Sequence, residues 1–373
     1  MKITLRPNLY FGIIFCLFLN SFNSFSQSNS KSLKKAYQDD FLIGTALGTQ
    51  HILEKNAQAD KLIKEQFNAI TPENIMKSEV IHPELHRYNF DLADKFVAYG
   101  QKNQMYIAGH TLIWHSQLPR FVYKIQSADS LKMFMEDHIK TVAGRYAGKM
   151  NSWDVVNEAL NEDGTMRPSI FYKLLGEDYI KMAFDLAAKA DPNAELYYND
   201  YNIEQPAKRK GAIAMIKKLQ ASGTKIDGVG IQGHWSINSN NIKEIEDAIN
   251  EFSALGIKVA FTELDYTVLP NPWDLKGADV NQNFEADPKM NQYKDALPDS
   301  VGTKLANRYS DLFILFLKNK DKISRVTFWG VNDGHSWLNG WPIKNRTNYP
   351  LLFDRDCQPK KAYNAVMQLK SGQ

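Results

Sequence analysis

The sequence predicts an α/β fold, a single (β/α)8 TIM barrel, and three observations carry that prediction. Short apolar, β-branched or aromatic runs recur eight times, amphipathic helical stretches lie between them, and each run ends in polar residues. Strands buried on both faces read as continuous apolar runs, and their alternation with helices marks βαβ units on a parallel sheet. Eight such units favour a closed barrel over a doubly wound sheet, and no glycine-rich phosphate loop follows the first run. A chain of 373 residues, 43% hydrophobic and 23% charged, has ample material for one core of that kind.

The first segment reads as an address label. Lys2 and Arg6 precede an 11-residue apolar run at 9–19, and small polar residues follow at 21–30. That run is shorter than the roughly 20 residues a spanning helix needs and fits the core of an export signal. The expectation is a signal peptide at 1–26, an extension at 27–40 and a barrel domain at 41–370.

The eight strand candidates are FLIGTAL (41–47), FNAIT (67–71), MYIAGHTLIWH (105–115), SWDVVNEA (152–159), AELYYNDYN (194–202), IDGVGIQGH (226–234), KVAFTELD (258–265) and RVTFWGVND (325–333). Helical spacing is clearest at 171–190, which stops at Asp191 and Pro192, and at 207–221, where Ile213, Met215, Ile216 and Leu219 fall at helical spacing ahead of Gly223. It recurs at 242–255, where Ile245, Ala248, Ile249 and Phe252 lead up to Gly256. Residues 270–300, rich in Asn, Asp and Pro, break the rhythm and predict a long loop on the strand-end face, where such loops often form functional walls.

Charge and cysteines narrow the choices. The net charge is +3, and without Lys2 and Arg6 43 basic residues face 42 acidic ones. Such a balance offers no electrostatic basis for binding nucleic acid or an anionic membrane. Of the two cysteines, Cys16 lies in the signal run, so the processed chain keeps Cys357 alone and can form no internal disulfide. An exported protein of this kind must rely on its core.

In a parallel barrel the C-terminal ends of the strands converge on one face, where active sites sit. The ends of these runs and the residues just past them carry Glu73, Asn74, Lys77, His110, Trp114, His115, Asn157, Glu158, Asn199, Asp200, Tyr201, Gln232, His234, Glu263, Asp265, Trp329, Asn332 and Asp333. This mixture of carboxylates, amides, imidazoles and indoles suits a neutral polyhydroxylated ligand, whose sugar rings stack on aromatic faces. The fourth and seventh runs stand roughly opposite one another around eight strands, so Glu158 and Glu263 face each other across the mouth. Two facing carboxyls are what hydrolysis of a glycosidic bond requires. A metal centre fits poorly, since no carboxylate completes a ligand set with His110 and His115, and no serine sits in a small-residue elbow.

At these positions the sequence closely resembles glycoside hydrolase family 10, the main family of endo-1,4-β-xylanases. WDVVNEA (153–159) resembles that family's acid/base motif and FTELD (261–265) its nucleophile motif; TPENIMKSE (71–79), GHTLIWHSQLP (109–119), YYNDYN (197–202) and GIQGHW (230–235) match in order and spacing. The resemblance runs from about 41 to 369 and implies that 41–370 is a glycoside hydrolase catalytic domain. By resemblance, Glu158 is the general acid/base and Glu263 the nucleophile of a retaining double displacement. Asn157 binds the sugar 2-hydroxyl, His234 holds Glu263 ionised, and Asp265 stands behind His234. Lys77, His110, Trp114 and Gln232 line the same sugar, Glu73, Asn74 and Gln117 grip the next one towards the non-reducing end, and Trp329 and Trp337 form floor and wall. Tyr201 stacks on the leaving-group side. The resemblance implies xylan and xylo-oligosaccharides as substrates, with no cofactor. The leader adds secretion or a periplasmic location, with a monomer as the working unit. Two alternatives stand beside this: a β-1,4-glucanase on the same barrel, and a xylan-binding protein without turnover. A retaining pair lies about 5 Å apart, and a glycosidase acid of this kind has its pKa lifted towards about 6.

Overall fold

The computed structural model describes residues 1, 2, 4, 32–272, 274, 275, 277 and 279–371. The expected signal segment 1–26 therefore falls almost wholly outside the described residues. Among those described, eight parallel strands form the barrel: β1 (Leu42–Leu47), β2 (Ala69–Pro72), β3 (Tyr106–Trp114), β4 (Ser152–Asn157), β5 (Glu195–Asp200), β6 (Gly228–Ile231), β7 (Lys258–Thr267) and β8 (Ile323–Phe328). Each pairs with the next in order, and β1 pairs with β8, so the sheet closes on itself. One principal helix follows each strand: α1 (Ala57–Gln66), α2 (Asp91–Lys102), α3 (Ala128–Arg145), α4 (Asp178–Ala190), α5 (Pro206–Ala221), α6 (Ile242–Ser253), α7 (Asp299–Lys318) and α8 (Lys361–Gln368). The predicted α/β barrel is the observed fold.

Local chemistry explains the helix boundaries. The side chain of Asn56 accepts from the Gln58 and Ala59 N–H groups at 3.0 Å and caps α1, Ser127 caps α3 by accepting from Ser130 N, and Pro206 opens α5 with its ring already set to a helical φ. In α6 the stripe Ile245, Ala248, Ile249 and Phe252 is fully buried against the sheet, as its spacing requires.

Two elements differ from the sequence expectation, both at glycines. The helix expected at 171–190 is two helices, Ile170–Leu175 and α4, because Gly176 adopts φ +64° and closes the first. The strand expected at 226–234 ends at Ile231. Gly233, at φ +82°, turns the chain, and the short strand His234–Ser236 then pairs with the outer end of β7. That turn places His234 on the face formed by the C-terminal ends of the strands. Among the described residues, the expected loop at 270–300 carries one short turn of helix, Pro288–Met290, and an isolated bridge from Phe284 to Ile343, and ends where α7 begins at Asp299.

From Ser32 onward the chain packs on the barrel, including the stretch to 40 expected as an extension. Tyr37 is fully buried, and its hydroxyl donates to the Val366 carbonyl at 2.7 Å. Cys357 is buried, and its sulfur accepts from Asn332 Nδ2.

Large and small residues alternate across the barrel wall. Gly109 on β3 lies beside Trp153 on β4, and Gly228 on β6 beside Tyr197 on β5. A Cβ on Gly109 would stand 2.2 Å from Trp153 Cε3, inside a side chain with no solvent exposure. Gly109→Ala should therefore overpack the wall and cost about 1–3 kcal/mol. Thermal denaturation checks this, with an unchanged Tm as the contrary result.

Candidate active site

The catalytic face is built from the C-terminal ends of the strands, as the pattern requires. A cleft of about 330 Å³ there is lined by Glu73, Asn74, Lys77, His110, Trp114, Gln117, Asn157, Glu158, Gln232, His234, Glu263, Trp329 and Trp337, with Ser116, Val280, Asn281 and Trp341. Thirteen of the residues singled out from sequence thus meet in one place. Asp265 lies just behind them, and Tyr201 does not line the cleft.

Glu158 follows β4 with its backbone at φ +56°, a conformation costly for a residue with a side chain. Three bonds hold it: its N–H donates to the Asn199 carbonyl at 2.9 Å, its carbonyl accepts from Arg167 Nε at 3.0 Å, and the next N–H, of Ala159, donates to the Tyr198 hydroxyl at 3.1 Å. The turn aims the carboxyl into the cleft. There Oε2 accepts from the Trp114 indole N–H at 2.8 Å, and Oε1 accepts from Gln232 Nε2 at 3.0 Å and Asn157 Nδ2 at 3.2 Å.

Glu263, near the middle of β7, accepts from Asn199 Nδ2 at 2.7 Å through Oε1 and meets His234 Nε2 at 3.2 Å through Oε2. Two amides join it to its partner: Asn199 Nδ2 also donates to Asn157 Oδ1 at 2.9 Å, and Asn157 in turn donates to Glu158. The His234 ring is fixed from behind by Asp265, whose Oδ1 lies 3.0 Å from Nδ1, and Asp265 Oδ2 accepts from the Trp337 indole N–H at 2.8 Å.

The two carboxyls have the same size of side chain and similar burial, but opposite electrostatics. Burial pushes the Glu158 pKa up to about 7, helped by the charges of Asp200 and Glu263 against the donors Gln232 and Trp114. Glu263 is as deeply buried, yet hydrogen bonds from His234 and Asn199 and the fields of His110 and His234 hold its pKa below the ordinary glutamate value. His234 can play that part because, although burial opposes its charge, Asp265 and Glu263 lift its pKa to about 10, so it is an imidazolium. One carboxyl therefore holds a proton at the pH at which the other is ionised, which is the division of labour an acid and a nucleophile need.

On one side of this pair Lys77 Nζ donates to Asn74 Oδ1 at 2.9 Å and lies 5.1 Å from the centre of the Trp114 ring. Burial lowers the Lys77 pKa, against the pull of Glu73, Glu263 and Glu158, and burial raises that of Glu73. Gln117 donates to Glu79 at 2.8 Å, and His110 Nδ1 meets Asp154 at 3.0 Å. Trp337 stacks on Trp341 at 4.5 Å between ring centres, an indole pair the sequence reading had only by half. Asn199, which bridges Asn157 and Glu263, was visible only as a polar residue at a strand end.

Tyr201 sits differently from its expectation. It is 3% exposed, with the Lys208 ammonium 3.7 Å from its ring centre, and its hydroxyl accepts from Arg167 at 2.7 Å. Gly277 lies so close that a Cβ there would be 2.4 Å from the ring. The ring's faces are covered by the protein itself, because the loop after β7 passes over it.

A closed parallel barrel whose mouth holds two buried carboxyls, one with its pKa raised and one with it lowered, with indoles around them, has the arrangement of a glycoside hydrolase. Comparison with known proteins narrows the class. The family model for glycosyl hydrolase family 10 matches residues 32–369, and the chain belongs to that family. It is 41% identical over 346 residues to endo-1,4-beta-xylanase A of Xylanibacter ruminicola, covering 91% of this chain and 94% of that protein. It is likewise 41% identical to the beta-1,4-xylanase of Dictyoglomus thermophilum, with 90% of each covered. Among solved structures, a family 10 endoxylanase from a sugarcane soil metagenome superposes with a TM-score of 0.87 at 46% identity, over 91% of this chain and all of that one. A further solved structure, of a mutant protein in complex with xylotriose, is 36% identical with a TM-score of 0.80, over 90% of this chain and 99% of that one.

Proposed function

We propose that this chain is an endo-1,4-β-xylanase that cuts xylan and xylo-oligosaccharides with retention of configuration. The observation that carries the reading is the opposite ionisation of two buried carboxyls facing one cleft, on a chain of this family. Glu158 gives its proton to the departing glycosidic oxygen while Glu263 attacks the anomeric carbon, so the C–O bond breaks as the ester to Glu263 forms. Esterification removes the charge of Glu263, and Glu158, now a carboxylate, becomes more acidic. It takes the proton from a water as that water's oxygen bonds to the anomeric carbon on the face opposite Glu263, and the ester C–O bond to Glu263 breaks. Two inversions return the β-anomer.

Asn157 is the group we assign to the sugar 2-hydroxyl; its amide is already oriented by Asn199 and Gln232. Trp329, Trp337 and Trp341 supply the apolar faces for the rings. The leader-like segment at 1–26 supports export, to the periplasm or beyond.

The test compares initial rates on xylan and on cellulose and follows the first products by NMR. Xylan should be cleaved far faster, with β-anomers appearing before mutarotation. Comparable rates on cellulose would overturn the substrate, and α-anomers first would overturn the retaining mechanism.

A further inference from the structure

Behind the acid/base residue lies a second buried ionic group that the reaction scheme leaves unused. Asp200, the last residue of β5, has no solvent exposure, and neither has Lys208 in the first turn of α5. Their charged atoms lie 2.9 Å apart. Oδ1 of Asp200 also accepts from the Tyr201 N–H at 2.9 Å, and Oδ2 accepts from the Tyr198 hydroxyl. That hydroxyl in turn accepts the N–H of Ala159, the residue that follows Glu158. A continuous chain of bonds thus runs from the Asp200 carboxylate to the peptide that sets the left-handed backbone of Glu158.

We propose that Asp200 is a positioning residue for the acid/base Glu158, acting through Tyr198 on its backbone and through its buried negative charge on its carboxyl. Burying an ion pair is costly unless every partner is in place, and breaking one by removing a partner is costly again. A stabilising role alone would not need the pair to stand at the mouth of the barrel, with its carboxylate linked to the strained residue. The charge has a stated direction. Groups around Asp200 are Lys208 from α5, Arg167 and Glu158 from the segment after β4, Tyr198 and Tyr201 from β5 and its turn, and Tyr179 from α4. Glu158 is faced in addition by Glu263 from β7, Gln232 after β6, Trp114 from β3 and Lys77 after β2. Burial raises the Asp200 pKa, and Lys208 and Tyr198 pull it back. Removing the negative charge, with Lys208 then left to Glu162 at 3.2 Å, makes Glu158 give up its proton at lower pH.

The inference rests on Glu158 being the acid, and the experiment separates the two. Full-length wild type, Asp200→Asn, Tyr198→Phe and Glu158→Ala are compared for kcat/KM on xylohexaose and on 2,4-dinitrophenyl β-xylobioside. The first leaving group needs a proton and the second does not, so a misplaced acid slows only the first. Asp200→Asn should lose about tenfold or more on xylohexaose, a part of what general acid catalysis supplies, and keep its rate on the dinitrophenyl substrate, while the alkaline limb of its pH profile moves down. If Asp200→Asn does not fold, Tyr198→Phe reads the same link and should show the same selective loss. Equal loss on both substrates, or an unmoved alkaline limb, overturns the inference while Glu158→Ala remains selective. If Glu158→Ala is itself unselective, the acid assignment and the inference fall together.

Discussion

Replacing Glu263 with alanine should abolish hydrolysis of xylan, by about four orders of magnitude or more, while xylo-oligosaccharides still bind. The size of the effect follows from covalent catalysis: without the carboxylate no glycosyl-enzyme can form, and removal of a nucleophile typically leaves only the residual rate supplied by binding and electrostatics. Binding survives because the sugar is held by other groups: Lys77, Asn157, Gln232 and the indoles line the cleft independently of Glu263. The site should also keep its shape, since His234 retains its bond to Asp265. Steady-state kinetics and calorimetric titration of the variant check both halves. A small anion such as azide, entering the space left by the side chain, should restore turnover of a substrate with a good leaving group. Its product should be the α-glycosyl azide, because one displacement inverts. Residual activity within about a hundredfold of wild type, or a β-azide, would assign the nucleophile elsewhere.

Glu158→Ala carries the second large effect, about three orders of magnitude in kcat/KM on xylan, within the range general acid catalysis supplies. The wild-type pH profile states the same claim without mutation. Glu158 works protonated and its pKa is about 7, so activity should fall as pH rises through that value. Glu263 works ionised and its pKa lies below the ordinary 4.5, so the acid limb should lie below that value. The alanine variant should lose the alkaline limb and retain the acid one. An alkaline limb that persists in Glu158→Ala would mean that another group carries the proton.

How much of this was legible beforehand depends on the distance over which each feature is decided. The barrel was legible because the eight strands, and the helices at 171–190, 207–221 and 242–255, announce themselves within about ten to twenty residues through periodicity and glycine or proline stops. The split at Gly233 was missed because a single glycine inside an apolar run reads the same whether the strand continues or turns. The meeting of Glu158 and Glu263 in one cleft was legible because strand ends converge by topology, so their place on the chain implies their place in space. Trp341 was missed as the stacking partner of Trp337, and Asn199 as the bridge to Glu263, because both depend on side-chain directions between separate segments. Tyr201 kept its position and lost its open face to a loop whose path no local pattern specifies.

The sequence by itself thus determined the order of strands and helices, the face on which chemistry gathers, and which two carboxyls stand there. The resemblance also implied which of them keeps a proton, and only the tertiary structure supplied the groups that hold it there. An acid lift towards about 6 was expected from chemistry, and the folded site places Glu158 at about 7. The reason is physical. Ionisation depends on burial and on charges a few ångströms away, and those charges, Asp200 behind Glu158 and the His234–Asp265 pair beside Glu263, are brought there by different strands of the closed sheet.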